Sequence, residues 1–206
     1  MILAGFLAAG GAAAADDFKP LWNGKDLTGW THVGCGRFVV EKGLLKTTGG
    51  MGLLAWDGGK VGNAVIRVVY RTEGKKGNAG VFIRIPETPH EPWTPVYRGY
   101  EVQIDDSADD YHATGTLYSL TKAKARPGRP GEWNTLEITL DGPRTRVSVN
   151  GEEVTDYREG DAVPPKAKWH EPDRGPRPDE GFIGLQNHDD GDVVFFKEIS
   201  VAPLAR

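Results

Sequence analysis

Glu101, Gln103 and Asp105 alternate with Val102 and Ile104 in the segment 99–105, the spacing of a strand whose two faces carry different chemistry. One face would present two carboxylates and an amide in a row. Arg84 and His188 lie on similar alternating segments: Val81, Ile83 and Ile85 are expected on one face and Phe82 and Arg84 on the other, while Gln186 and His188 fall together opposite Leu185. Pairing of these strands would set Arg84 beside Glu101. A carboxylate or an imidazole can remove a proton, a guanidinium can hold the negative charge that develops, and amides and further carboxylates can bond hydroxyl groups. The pattern is that of a polar cleft.

The elements that must position these groups are strands. The 28 glycines and 14 prolines punctuate short apolar runs, and no segment sustains the spacing of a long amphipathic helix. Strands are expected over 37–40, 44–47, 53–55, 64–71, 79–85, 100–104, 115–120, 134–140, 144–149, 181–187 and 193–201, with a further one beginning near Val154. Asp141-Gly142 and Asn150-Gly151 read as the turns of successive hairpins. So many short strands imply an all-β fold of two stacked sheets or a closed barrel. Two long proline-rich loops, 86–98 and 158–180, carry Trp93, Tyr97, Trp169 and His170. Rigid aromatic rings on such loops suit stacking on a sugar face as well as pinning the loops to the sheets.

Net charge is −4, and the basic residues are scattered, so the chain has no nucleic-acid footprint. Cys35 is the single cysteine, which excludes an intramolecular disulfide and a cysteine zinc cluster. Residues 1–15 are uncharged and end in small residues; they read as an export leader cleaved after Ala15, too short to be a transmembrane segment. Residues 16–206 are then expected to form one secreted or periplasmic domain.

Seven motifs occur in a fixed order: 18–30 (Phe-Lys-Pro-Leu-Trp-Asn-Gly-Lys-Asp-Leu-Thr-Gly-Trp), 78–84, 99–105, Thr114-Gly115 with Tyr118, 131–134, Asn150-Gly151 and 184–188. In this order the chain resembles the 3-keto-disaccharide hydrolase domain family, secreted bacterial proteins with a concanavalin A-like jelly-roll β-sandwich. Ala79, where serine is usual, and Lys197, where asparagine is common, depart from the family pattern. The resemblance implies a concave sheet that holds a carbohydrate already oxidised to a ketone at C3. Such a ketone acidifies the C2 proton, so a base can remove it and the enolate can expel the C1 substituent, after which water adds. On this reading the base is Glu101 or His188, Arg84 stabilises the enolate, and Gln103, Asp105, Gln186, Tyr118, Trp93 and Trp169 contact the substrate.

Two other readings fit the same residues. A retaining glucanase uses a Glu-x-Asp-x-Glu strand, and Glu101-Val-Gln-Ile-Asp105 has a similar grammar. Retaining chemistry needs carboxyl groups about 5 Å apart, whereas residues four apart on a strand are separated by roughly 13 Å. A non-catalytic, lectin-like module would use the same aromatic and hydroxyl-binding groups. Asp105, Asp106, Asp109 and Asp110 are ligand types for calcium without EF-hand spacing, and Glu101, Asp105 and His188 are ligand types for a divalent cation.

Overall fold

The computed structural model describes residues 17–74 and 76–204, so the leader expected over 1–15 lies outside the described residues. In chain order the elements are β1 (Lys19–Pro20), β2 (Trp30–Gly34), β3 (Arg37–Glu41), β4 (Leu44–Thr48), β5 (Gly52–Trp56), β6 (Ala64–Thr72), β7 (Ala79–Ile85), α1 (Trp93–Arg98), β8 (Tyr100–Ile104), β9 (Asn134–Asp141), β10 (Arg144–Val149), β11 (Glu152–Arg158), β12 (Phe182–Asn187) and β13 (Val194–Pro203). They form two antiparallel sheets. One has the order β11-β10-β9-β6-β13-β4-β3, with β1 paired to β13; the other is β2-β5-β12-β7-β8. This is the expected two-sheet β-sandwich.

The inner faces of both sheets make one core. Leu136, Ile138 and Leu140 of β9 alternate inward, as do Ile66, Val68 and Tyr70 of β6, and they meet Val81, Ile83, Val102, Ile104 and Leu185 from the smaller sheet. A second cluster lies on the opposite face of the smaller sheet, where Phe82, Leu53, Val33 and Ile85 are covered by Val96 of α1. That short helix, within a segment expected to be loop, is what closes this face from above.

Several motifs turn out to be structural. In the 18–30 segment the Trp22 indole donates to the Asp26 carbonyl at 2.9 Å and the Trp30 indole to the Leu21 carbonyl at 3.0 Å, which clamps the N-terminal turn onto the core. Asn187 is buried and donates to the carbonyls of Thr48 and Arg37, tying β12 to the edge of the larger sheet. The hairpins at Asp141-Gly142 and Asn150-Gly151 form as expected.

Structure and expectation differ in two places. Residues 115–120 are not a regular strand but a series of turns beside β8, bonded to it by the Gly115 N–H to the Gln103 carbonyl, the Gln103 N–H to the Thr116 carbonyl and the Tyr118 N–H to the Glu101 carbonyl, with one bridge between Leu117 and Val102. Side-chain hydroxyls add to the backbone bonding there: the Leu117 N–H donates to Thr121 Oγ1, and Thr116 Oγ1 donates to the Ala113 carbonyl. The other is the N-terminal segment, where the sequence pattern left β1 and β2 unassigned; β1 pairs with β13, and β2 with β5 at the sheet edge.

Candidate active site

Strand register alone arranges the cleft. Residues directly opposite in antiparallel pairs share a face. Gln103 pairs with Gly80, Gly80 with Gln186, Gln186 with Leu53 and Leu53 with Val33, giving one row across the smaller sheet. The adjacent row is Glu101, Phe82, Gly184, Ala55 and Thr31. Both rows lie on the face away from the main core. The polar groups therefore cluster at the β8-β7-β12 end, and apolar side chains floor the remainder.

Gly80 makes this possible. A side chain there would bring its Cβ to 2.8 Å from Glu101 Cγ, so only glycine leaves room for Glu101 to lean across β7 toward Gln186. The Gln103 amide donates to Asn78 Oδ1 at 2.8 Å, and the amide oxygens of Gln103 and Gln186 are buried with no partner among the described residues. Two orphaned acceptors at the floor of a cleft match the hydroxyl donors of a sugar.

Glu101 is 6% exposed. Burial pushes its pKa up to about 8, against the smaller opposing effect of the bond from Gln186. The Tyr118 phenol beside it is also raised, first by burial and then by the Glu101 charge. Near neutral pH, both groups are therefore hydrogen-bond donors. His188 follows β12 on the same side as Gln186, and its Nδ1 lies 2.9 Å from Asp192 Oδ2. A carboxylate at Nδ1 favours the tautomer protonated there, which leaves the Nε2 lone pair free.

The cleft is lined by Met51, Asn78, Trp93, Val96, Glu101, Gln103, Tyr118, His170, Gln186 and His188. Thus Glu101, Gln103, Gln186, His188, Tyr118 and Trp93 come together. Trp169 stands at the rim, 69% exposed, with its ring 5.1 Å from that of Trp93 and 5.4 Å from that of His170. Asn78 and His170 were not among the expected site residues. Asn78 opens the 78–84 motif and His170 lies on an aromatic loop, so the signals were present but did not specify a direction.

Arg84 does not join them, and its assignment beside Glu101 is corrected. Its backbone has φ +53°, and a register shift lies opposite it between Phe182 and Gly184. This bulge reverses the alternation, so Ile85 packs with Phe82 rather than with Ile83. The Arg84 side chain is 2% exposed and crosses to the other sheet, where it donates to Thr145 Oγ1, the Gly142 and Arg144 carbonyls and the Pro178 carbonyl. It joins the sheets and anchors loop 159–181.

Asp105 is corrected as well. β8 ends at Ile104, and the Asp105 carboxylate turns away to accept from the N–H and hydroxyl of Ser107. That removes the second carboxylate of a retaining glucanase. It also removes Asp105 as a co-ligand with Glu101 and His188. Among the described residues no three His, Cys, Asp or Glu side chains are grouped to hold a metal. Asp109 and Asp110 instead face His112, Lys122 and Arg126.

Arg177, which sequence reasoning missed, fixes the second aromatic loop. It is buried and donates to the carbonyls of Gly99, Gly175, Tyr97 and Asp173, joining the loop to the end of α1. The space inside the cleft is only about 70 Å³, well below the roughly 300 Å³ at which pockets begin to enclose drug-sized ligands. A sugar ring therefore needs the Trp93–Trp169–His170 rim to open. Binding is expected to change tryptophan emission, and the change should shrink in Trp169→Ala; an unaltered spectrum at saturating ligand would show that the rim stays closed.

The model of the 3-keto-alpha-glucoside-1,2-lyase-like domain matches residues 17–202. A 3-keto-disaccharide hydrolase from Bacteroides thetaiotaomicron is 26% identical over 234 residues, covering 92% of this chain and 79% of the relative. Among solved structures, a Parabacteroides distasonis protein assigned to the glycosyl hydrolases superposes with a TM-score of 0.73 at 22% identity, covering 93% of this chain and 95% of that one. The carbohydrate-binding module CBM66 of Bacillus subtilis gives 0.58 at 15% identity, over 84% and 95% of the two chains. These structural likenesses concern the fold alone.

Proposed function

Since the chain belongs to the 3-keto-alpha-glucoside-1,2-lyase-like domain family, we propose that it cleaves 3-keto-glycosides by abstracting the C2 proton, expelling the C1 substituent and adding water. The single observation that carries this reading is the buried Glu101 carboxyl, neutral near pH 7, in a cleft with an imidazole whose Nδ1 faces a carboxylate. The pair supplies an acid and a base without two ionised carboxylates. His188 takes the C2 proton on Nε2. The electrons of that bond form an enolate at the C3 oxygen, where the Tyr118 phenol donates a hydrogen bond. The C1–O bond then breaks, and the departing oxygen receives the Glu101 proton.

The amide oxygens of Gln103 and Gln186 accept from ring hydroxyls, and Trp93 and Trp169 supply the apolar wall. Secretion belongs to the same reading, through the leader over 1–15. Among the described residues no helix is long and apolar enough to cross a membrane.

The test is substrate choice. A 3-keto-disaccharide should be cleaved while its unoxidised parent survives, because without the ketone the C2 proton is not acidic enough for an imidazole to remove. Cleavage of both at equal rates would return oxocarbenium chemistry. Binding of either without cleavage would favour a lectin-like module, for which the shared fold with a carbohydrate-binding module is the supporting observation.

A further inference from the structure

A second, open cavity of about 700 Å³ is lined by Ser119 and Glu171, the chain neighbours of Tyr118 and His170 in the cleft. Three of its lining residues form a continuous hydrogen-bonded chain. Asp109 Oδ1 is 2.8 Å from His112 Nδ1, and His112 Nε2 is 2.8 Å from Ser119 Oγ. Asp109 is locked in turn by the Tyr111 N–H, which donates to the same oxygen at 2.8 Å. The His112 ring also packs against Tyr118, with centroids 5.0 Å apart. Ser119 itself has φ +57°, a conformation that residues with a Cβ rarely adopt.

We propose that Ser119, His112 and Asp109 form a nucleophilic triad and that this cavity hydrolyses small carboxylic esters. The order carboxylate–imidazole–hydroxyl, with the two ring nitrogens used separately, is what defines such a triad, whatever fold carries it. A solvated turn of the kind expected for an acidic loop does not require the imidazole to be bonded at both ends, nor a serine held at positive φ facing a cavity.

The chemistry balances with water as the only co-reactant. Ser119 Oγ attacks the ester carbonyl carbon and passes its proton to His112 Nε2, while Asp109 positions the ring through Nδ1. Collapse breaks the C–O bond to the alcohol, which leaves with that proton. Water then attacks the acyl-serine, giving its proton to Nε2, and the carboxylic acid departs as Ser119 regains a hydrogen. Backbone stabilisation of the tetrahedral oxyanion is not available from Ser119 or Leu120, whose N–H groups donate to the carbonyls of Tyr111 and Leu117. That role falls to Lys122, the loosest held of the lining cations at 3.5 Å from Asp110, since Arg126 and Arg174 are engaged by Asp110 and Glu171. The acid-binding or sugar-binding part of a natural ester would lie among the same groups. O-acetylated sugars are the class favoured by the adjoining sugar cleft, a choice that rests on the proposed function whereas the triad does not.

The probe is a fluorophosphonate, followed by intact mass and peptide mapping, with p-nitrophenyl acetate as the turnover substrate. Neither contains a sugar, so the result is independent of keto-sugar cleavage. We expect one covalent adduct, on Ser119, absent in Ser119→Gly; glycine suits the positive φ, so that variant retains the fold. Ester turnover should fall at least about 10²-fold in Ser119→Gly and in His112→Ala. Asp109→Asn should lower kcat with KM nearly unchanged, a split that a purely structural turn would not produce. An unlabelled wild-type protein, an adduct mapped to another residue, or equal ester turnover in wild type and Ser119→Gly would each overturn the proposal.

Discussion

Replacing Glu101 by glutamine is expected to lower turnover of a 3-keto-glycoside about 10²- to 10⁴-fold, the usual contribution of a positioned proton donor. Gln keeps the volume but has no acidic proton to give to the departing oxygen. The pH profile separates the two roles open to this residue. If Glu101 acts as the acid, wild-type turnover declines as pH rises past about 8, where its carboxyl ionises. A rate that climbs through the same range would make Glu101 the base. Stability should fall in the same direction, but over a lower pH range. The folded-state pKa is raised from 4.5 to about 8, so the stability contributed by the neutral form is complete below the unfolded value and is lost as pH rises toward about 8. At about 1.4 kcal/mol per unit of pKa, that loss is on the order of 5 kcal/mol. Glutamine does not ionise, so Glu101→Gln should gain on wild type between pH 5 and 8 in urea unfolding; a constant difference across that range would mean that the carboxyl is not desolvated.

Arg84→Ala should cost about 3–5 kcal/mol of stability, as breaking a buried charged network does, and leave catalysis intact in whatever fraction remains folded. The substitution removes the donors to Thr145 Oγ1 and to the carbonyls of Gly142, Arg144 and Pro178, and it opens a cavity between the sheets. Urea denaturation beside kinetics well below the melting range checks both halves. Lost turnover at unchanged stability would instead restore Arg84 to the enolate. The loss should also loosen loop 159–181, which Arg84 holds through Pro178, so the rim carrying Trp169 should become more susceptible to proteolysis.

The contrast between Glu101 and Arg84 shows what was legible in the sequence. Alternation placed Glu101 and Gln103 on one face, with Val102 and Ile104 in the core, because β8 is a regular strand through all its residues. The same rule misdirected Arg84, because one bulge residue reverses the parity of everything after it, and an arginine at φ +53° carries no local signature of the kind glycine gives. Asp105 failed for a related reason: the strand stops one residue earlier, where the Asp105 N–H donates to Thr114 Oγ1 rather than to a neighbouring strand. The hairpins were readable from Asp-Gly and Asn-Gly because Gly142, Asn150 and Gly151 supply the positive φ that their turns require. The rim was readable only as a set of aromatics on long loops. Its direction is imposed by Arg177 and by Tyr100, whose hydroxyl bonds Glu159, and both contacts span distances in sequence that no local pattern records.

The most direct test of C2 proton abstraction is cleavage of a 3-keto-disaccharide in deuterated water, with the released keto-sugar examined by NMR. One deuterium is expected at C2 per turnover, beyond the exchange of the free sugar without enzyme, with this incorporation lost together with cleavage in His188→Ala. Release of a sugar that retains its original C2 proton would contradict C2 proton abstraction.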